Sequence, residues 1–145
     1  LTLAFWMYPE KLEVRRNPLY KSFGAEMTMT LEVGGEINFF HGISGRDAHP
    51  YQGFSSEKTI KPQTWTHVCL VRDPESKTLT WYFDGRQVAR EKSSYPEVKT
   101  SRHALILGRG YAGAFQGMLD EVMILNKAFS AREVELLYRA AGGGL

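Results

Sequence analysis

Hydrophobic and polar residues alternate along Glu26–Val33, which places Met27, Met29, Leu31 and Val33 on one face of a predicted strand. Gly34 and Gly35 then turn the chain and residues 36–41 return it, the pattern of a hairpin with a two-residue turn. Short segments rich in β-branched and aromatic residues recur at Leu1–Tyr8 (stopped by Pro9), Leu19–Phe23, Trp65–Arg72, Leu79–Phe83, Gln87–Ala89, Ala104–Leu107 and Gly117–Leu125. Turn chemistry separates them. Asp73–Lys77 is one turn, and Asp84 with Gly85 has the signature of a type I′ hairpin. Gly117, at the start of its strand, predicts a bulge or a close backbone approach. Strands spaced in this way predict a sandwich or barrel rather than βαβ units. Between His41 and Thr64 the pattern lapses into three glycines, two prolines and many polar residues, which predicts a long loop. Ordered loops of that length are commonly functional.

One helix is predicted near the end. Ser130 is its N-cap, and Glu133 three residues on completes a capping box. Val134, Leu137, Tyr138 and Ala141 form an apolar stripe at helical spacing, and Gly142 supplies the stop. The stripe predicts a short helix docked on the sandwich.

Composition narrows the function classes. A chain of 145 residues fits one domain, and 43% hydrophobic with 23% charged residues is ordinary for a folded globular chain. The formal charge is only +2, and Arg15, Arg16, Arg86, Arg90, Lys92, Arg132 and Arg139 are scattered. No basic run has the density of a nucleic-acid arm, so no nucleic-acid partner is expected. The single cysteine, Cys69, excludes an internal disulfide and a cysteine-based zinc site, and its apolar neighbours predict a buried core residue. No apolar stretch is long enough to span a membrane, so no membrane insertion is expected. The chain opens directly on a strand, which fits a domain excised from a larger protein, and residues 142–145 read as a linker or chain end.

Three stretches carry a family likeness. Trp65–Val68, Leu79–Val88 and Phe115–Ser130, the last running into Glu133, Leu137 and Tyr138, resemble the laminin-G-like family of concanavalin-A-type sandwiches, in that family's order. Leu3–Pro9 is similar to the strand with which the body of such domains begins. The resemblance implies an all-β fold, an antiparallel two-sheet jelly-roll sandwich with one short C-terminal helix, over residues 1–141. In the family a further strand usually precedes Leu3. Its absence from this chain implies an open sheet edge, which a partner strand or a neighbouring domain of the same polypeptide could complete. Glycan or surface-protein binding is implied, often with one structural calcium ion. So is a place in a larger exported protein that is extracellular, cell-surface or periplasmic.

The residues themselves argue for binding rather than catalysis. A glycosidase needs two carboxylates facing one cleft. Asp120 and Glu121 are adjacent and so point to opposite strand faces, Glu32 and Glu36 straddle a turn, and Glu133 and Glu135 lie on different helix faces. The four histidines, His41, His49, His67 and His103, show no metal-ligand spacing. His67 is expected to be a hydrogen-bonded structural residue, and Trp65 and Trp81 are expected to pack the core. A sugar site needs an aromatic platform beside planar polar groups. The loop offers Arg46, Asp47, His49, Tyr51, Gln52 and Phe54, and a second loop offers Arg109 and Tyr111. Phe54 is expected to pin the loop, and Tyr51 either to pin it or to meet ligand. Asp47 and Asp120 are the candidate calcium ligands, although Asp120 is equally suited to bonding a neighbouring turn. The reading is therefore a non-catalytic carbohydrate-binding or adhesion module. A structural or protein-interaction domain of a surface assembly is the alternative, and a glycoside hydrolase of the same fold comes third.

Overall fold

The computed structural model describes residues 1–143, so the end of the 142–145 linker expectation lies outside the described residues. The strands run β1 (Thr2–Pro9), β2 (Arg16–Ser22), β3 (Met27–Leu31), β4 (Ile37–Gly42), β5 (Tyr51–Ser55), β6 (Thr66–Asp73), β7 (Thr78–Phe83), β8 (Arg86–Lys92), β9 (Ile106–Leu107), β10 (Arg109–Gly110), β11 (Gly113–Ala114) and β12 (Gly117–Leu125), followed by α1 (Ala131–Ala140). They form the two-sheet jelly-roll sandwich that the pattern and the resemblance predict. The first sheet has the order β12-β1-β6-β7-β8 and is antiparallel throughout. In the second, β2 pairs with β3, and β4 and β5 follow. The other side of β2 is shared. Leu19 and Tyr20 pair with β9, and Asn17 meets β11, the end of a tight hairpin with β10.

Strand alternation places the core. Leu3, Phe5 and Met7 of β1, Val68 and Leu70 of β6 and Trp81 of β7 face Leu19, Met29, Leu31, Ile37, Phe39 and Phe54 across the sandwich. Burying each such side chain contributes about 1.5–3 kcal/mol, before the entropy of ordering it. Trp81 is fully buried, and its indole N–H donates to the Phe54 carbonyl at 3.2 Å, tying the two sheets together.

The outward side chains of the first sheet are covered as well. Ala4, Cys69, Val71 and Tyr82 pack against Val134 of α1, with Phe129 and Leu137 alongside. Burial pushes the Cys69 thiol up to about 12, so it stays protonated. The capping box forms as predicted, with Ser130 and Glu133 bonding each other's backbone N–H groups. Two β1 side chains fasten the helix. The Thr2 hydroxyl donates to Lys127 O and accepts from Phe129 N, and the Trp6 indole donates to Ala141 O at 3.1 Å. Asp84 and Gly85 both adopt positive φ, 49° and 73°, as a type I′ turn requires.

Four expectations need correction. Val33 leaves the alternating face and is 65% exposed, because β3 ends at Leu31 and the turn already begins at Glu32, whose N–H bonds Glu36 O. Trp65 precedes β6 and is 40% exposed beside Tyr8 rather than in the core. His67 is fully buried, yet among the described residues neither ring nitrogen has a hydrogen-bond partner; it is wedged between the rings of Trp6 and Tyr138. The stretch from His41 to Thr64 is not all loop. It contains β5, whose short length and central Gly53 hid it from the pattern but which pairs with β4 over Asn38–Gly42.

Two predictions follow from this packing. A Cβ at Gly117, where φ is +147°, would sit 2.1 Å from Tyr8 O, a backbone atom that cannot yield cheaply. Gly117→Ala should lower stability by at least about 2 kcal/mol in urea denaturation. Gly34→Ala, at φ +87° but with nothing within 4 Å, should cost about 1 kcal/mol. The second concerns the buried imidazoles. Burial holds His67 below its ordinary value of 6.5 against the opposing pull of Asp84, and pushes His41 down to about 4. Below pH 6.5 the unfolded chain binds protons that the folded chain refuses, so stability should fall as the pH drops from 6.5 toward 4. His67→Phe removes two unpartnered buried nitrogens. It should match or exceed the wild-type urea midpoint at pH 7 and lose less of it at pH 5.

Candidate functional site

The second sheet turns a face outward that no helix covers. Met29 and Leu31 of β3 point into the core, so Thr28 and Thr30 point out, and in the register Thr28 lies between Tyr20 and Phe40. Phe40 is followed across the sheet by Gly53, where a Cβ would meet its ring at 2.9 Å, so this glycine gives the ring its place. Tyr51 stands opposite Gly42 on the same face. Both threonines are fully buried even though they face outward, because side chains roof them. Arg15 forms part of that roof. It bonds Thr30, pairs with Glu32 at 2.9 Å, and lies 5.7 Å over the Phe40 ring and 5.3 Å over that of Tyr111.

Tyr111 arrives from the β10–β11 turn and is 48% exposed. It is anchored indirectly through Asn17, which is fully buried. The Asn17 amide donates to Met29 O at 2.8 Å and its carbonyl accepts from Ala112 N at 2.7 Å. Gly110 lets the hairpin come this close, since a Cβ there would lie 2.6 Å from the Asn17 side chain. The rings then form a continuous surface. Tyr111 meets Phe23 at 5.6 Å, Phe23 meets Tyr51 at 5.1 Å, and His49 stacks on Tyr51 at 4.3 Å. Tyr20 closes the group 6.1 Å from Tyr111, edge to face.

Polar groups border these rings. The Tyr20 hydroxyl donates to Asp47 Oδ2, while Asp47 Oδ1 accepts from Phe23 N at 3.0 Å, and His103 Nδ1 stands 3.3 Å from the same hydroxyl. Burial first, and then the bond to Asp47 with its charge, push the Tyr20 phenol up to about 12. The Tyr111 phenol is also raised, chiefly by burial. Both remain neutral donors at physiological pH. Glu32 Oε1 collects Arg15, Thr30 and the Asn38 amide. Neutral rings, hydroxyls and satisfied ion pairs of this kind can stack on an apolar face and exchange hydrogen bonds. Among them Arg15 is paired with Glu32, and both Asp47 oxygens are bonded.

Of the ligand residues read from the sequence, Asp47, His49, Tyr51 and Tyr111 meet in this one cluster, although they come from two distant loops. Arg46 and Arg109 are exposed, and among the described residues no hydrogen bond or ion pair uses either side chain. Phe54 packs in the core against Trp81, as expected of a pinning residue. The sequence reading missed Arg15, Tyr20, Phe23 and Phe40. Tyr20 and Phe40 carried a usable signal, since each is an aromatic residue directly following a buried one, Leu19 and Phe39, on a strand.

The calcium expectation rests on Asp47 and Asp120. Asp47 has both oxygens bonded by protein donors, while Asp120 lies on β12 beside Trp6 and Trp65 and accepts from Glu121 N at 2.8 Å. Among the described residues no three His, Cys, Asp or Glu side chains gather as a metal site. These two carboxylates therefore do not fit a shared calcium ion.

No curated protein sequence matches the chain. Solved structures share its fold. The CBM40 of the Ruminococcus gnavus IT-sialidase superposes with a TM-score of 0.75 at 13% identity, covering 94% of this chain and 81% of that one. Domain 4 of AbnA, a GH43 extracellular arabinanase of Geobacillus stearothermophilus solved with arabinotriose, gives 0.72 at 19% identity over 94% of this chain. A Bacteroides ovatus protein gives 0.73 at 15% identity over 92% of it. The chain spans 65% of the arabinanase domain's chain and 39% of the Bacteroides one. A laminin G family model matches residues 1–135, and the chain belongs to that family, within the concanavalin A-like lectin/glucanases superfamily.

Proposed function

We propose that the outer face of the second sheet binds a carbohydrate, and that the domain is a non-catalytic binding module of a larger protein acting outside the cytoplasm. The observation that carries this reading is the ring surface Tyr111–Phe23–Tyr51–His49, with a half-exposed tyrosine at one end and planar polar groups along its border. A pyranose or furanose presents an apolar face and a fringe of hydroxyls, and this surface complements both. The fold shared with an arabinanase domain solved with arabinotriose, and with a sialidase CBM40, supports the ligand class. The extracellular setting of that arabinanase supports the location. Catalysis has less support. The face's carboxylates, Glu32 and Asp47, are bonded as acceptors. Glu91, whose carboxyl burial raises, is bonded to Gln52 away from the rings. A strand-adding protein partner is the second reading, favoured by the free edge of β12, where Met118 and Ile124 are exposed.

Isothermal titration with arabinotriose and a panel of other neutral oligosaccharides tests the proposal. Tyr111→Ala should weaken whichever binds by about tenfold, some 1.4 kcal/mol, while leaving the melting temperature close to wild type. Binding that ignores Tyr111→Ala, or its absence across the panel, overturns the assignment. Because the carboxylates do not gather a metal site, the affinity should be the same in EDTA as in calcium.

A further inference from the structure

Five of the 18 basic residues gather in one place in the fold. On the helix side of the first sheet lies a cleft of about 1040 Å³ between the 58–66 segment, the β7–β8 turn and α1. Lys58, Lys61, Arg86, Arg132 and Arg139 line it, against the carboxylates Asp84 and Glu135, a net charge of +3. The whole chain carries only +2, so everything outside the cleft sums to −1. The two acids are already engaged. Glu135 pairs with both Arg132 and Arg139, and Asp84 accepts from the His67 backbone N–H. Lys58, Lys61 and Arg86 have no ion-pair partner among the described residues.

The cleft is built rather than incidental. Its lysine rim is held by Ile60, whose side chain is buried and whose N–H bonds Gly35 O at 2.9 Å, and by the Ser56 hydroxyl on Lys58 O at 2.8 Å. Gly85 admits the Tyr138 ring, which would stand 3.0 Å from a Cβ there. Trp65, the tryptophan that stays out of the core, presents its exposed indole at the mouth. Asp120 and Glu121, expected on opposite strand faces, both line a neighbouring hollow against Trp65, because Glu121 takes a positive φ of 48° at the bulge in the β1–β12 pairing.

We propose that this cleft binds a short carboxylate-bearing oligosaccharide, with the sugar face on Trp65 and the carboxylate among Lys58, Lys61 and Arg86. Charge complementarity selects an anion, and the planar guanidinium of Arg86 matches a carboxylate with two parallel bonds. The indole selects a ligand with an apolar face. The size of the cleft and the −1 balance beyond it favour a short ligand over a polyanion, which needs a basic stripe to follow. This site is distinct from the aromatic face of the second sheet and does not rest on carbohydrate binding there.

The probes are a galacturonate trimer, its methyl ester, a hyaluronan tetrasaccharide and a glutamate trimer, titrated into the ¹⁵N-labelled chain. At least one acidic saccharide should shift the Trp65 indole and Arg86 signals, and its affinity should fall with added salt. The K61Q/R86Q double variant changes two exposed side chains and should weaken it about tenfold or more. Tyr111→Ala, on the opposite face, should leave it unchanged. Failure of both acidic saccharides to bind overturns the proposal. So does methyl ester binding equal to that of the free trimer, indifference to K61Q/R86Q at an unchanged melting temperature, or tighter binding of the glutamate trimer. None of these outcomes bears on the Tyr111 test of the other face.

Discussion

The structure depends on α1 covering the outer face of the central strands of the first sheet, while side chains alone roof the outer face of the second. Strand β6 carries the consequence most directly. Val68 and Leu70 must fill the space between the sheets, while Cys69 and Val71 must fill the space under α1, so Thr66–Val71 is buried without interruption. The helix is no loose addition, because Thr2 and Trp6 of β1 hold its two ends by hydrogen bonds. With α1 committed to the first sheet, the outer face of the second is left for side chains to roof. Tyr20, Phe40 and Tyr51 project there with no structural element above them.

A face of that kind is useful only if its rings are held in place. The hydrogen bonds that hold them are few and local. Asn17 spends its amide on both the sheet and the hairpin that carries Tyr111, and Asp47 spends both oxygens on Tyr20 and Phe23. An apolar residue in place of Asn17 would orphan two buried backbone groups, a larger penalty than the net gain of making the bonds. These polar residues therefore pre-order the aromatic surface, so that a ligand need not supply that order on binding.

Much of this was legible in the sequence, and the gaps have physical causes. Strands with both faces covered, such as β6, and strands closed by strong turns, such as β7–β8 at Asp84–Gly85, announced themselves. So did α1, whose capping box is a local device. The edge elements β5, β10 and β11 did not, because two to five residues with a glycine among them make too short a pattern for alternation to show. Trp65 was misplaced because an aromatic at a strand boundary reads the same whether it enters the core or stays at the rim. His67 was read as a hydrogen-bonded structural residue. That both its nitrogens go without partners is decided by the rings of Trp6 and Tyr138, which come from β1 and α1, far away in the chain. Asp47, His49, Tyr51 and Tyr111 could be nominated from residue type alone, but their meeting depends on β2 lying between their loops.

The same logic separates the chemistry of the two surfaces. On the aromatic face the charges are consumed internally, Arg15 by Glu32 and Asp47 by Tyr20 and Phe23. In the cleft, Lys58, Lys61 and Arg86 have no ion-pair partner among the described residues. A ligand on the aromatic face meets stacking rings and hydrogen-bonding groups whose own charges are paired, and a ligand in the cleft meets a net positive lining. A single domain of this size can in this way present one surface that is indifferent to salt and another that is governed by it. What separates them is the core itself, with Trp81 bonded across it to Phe54.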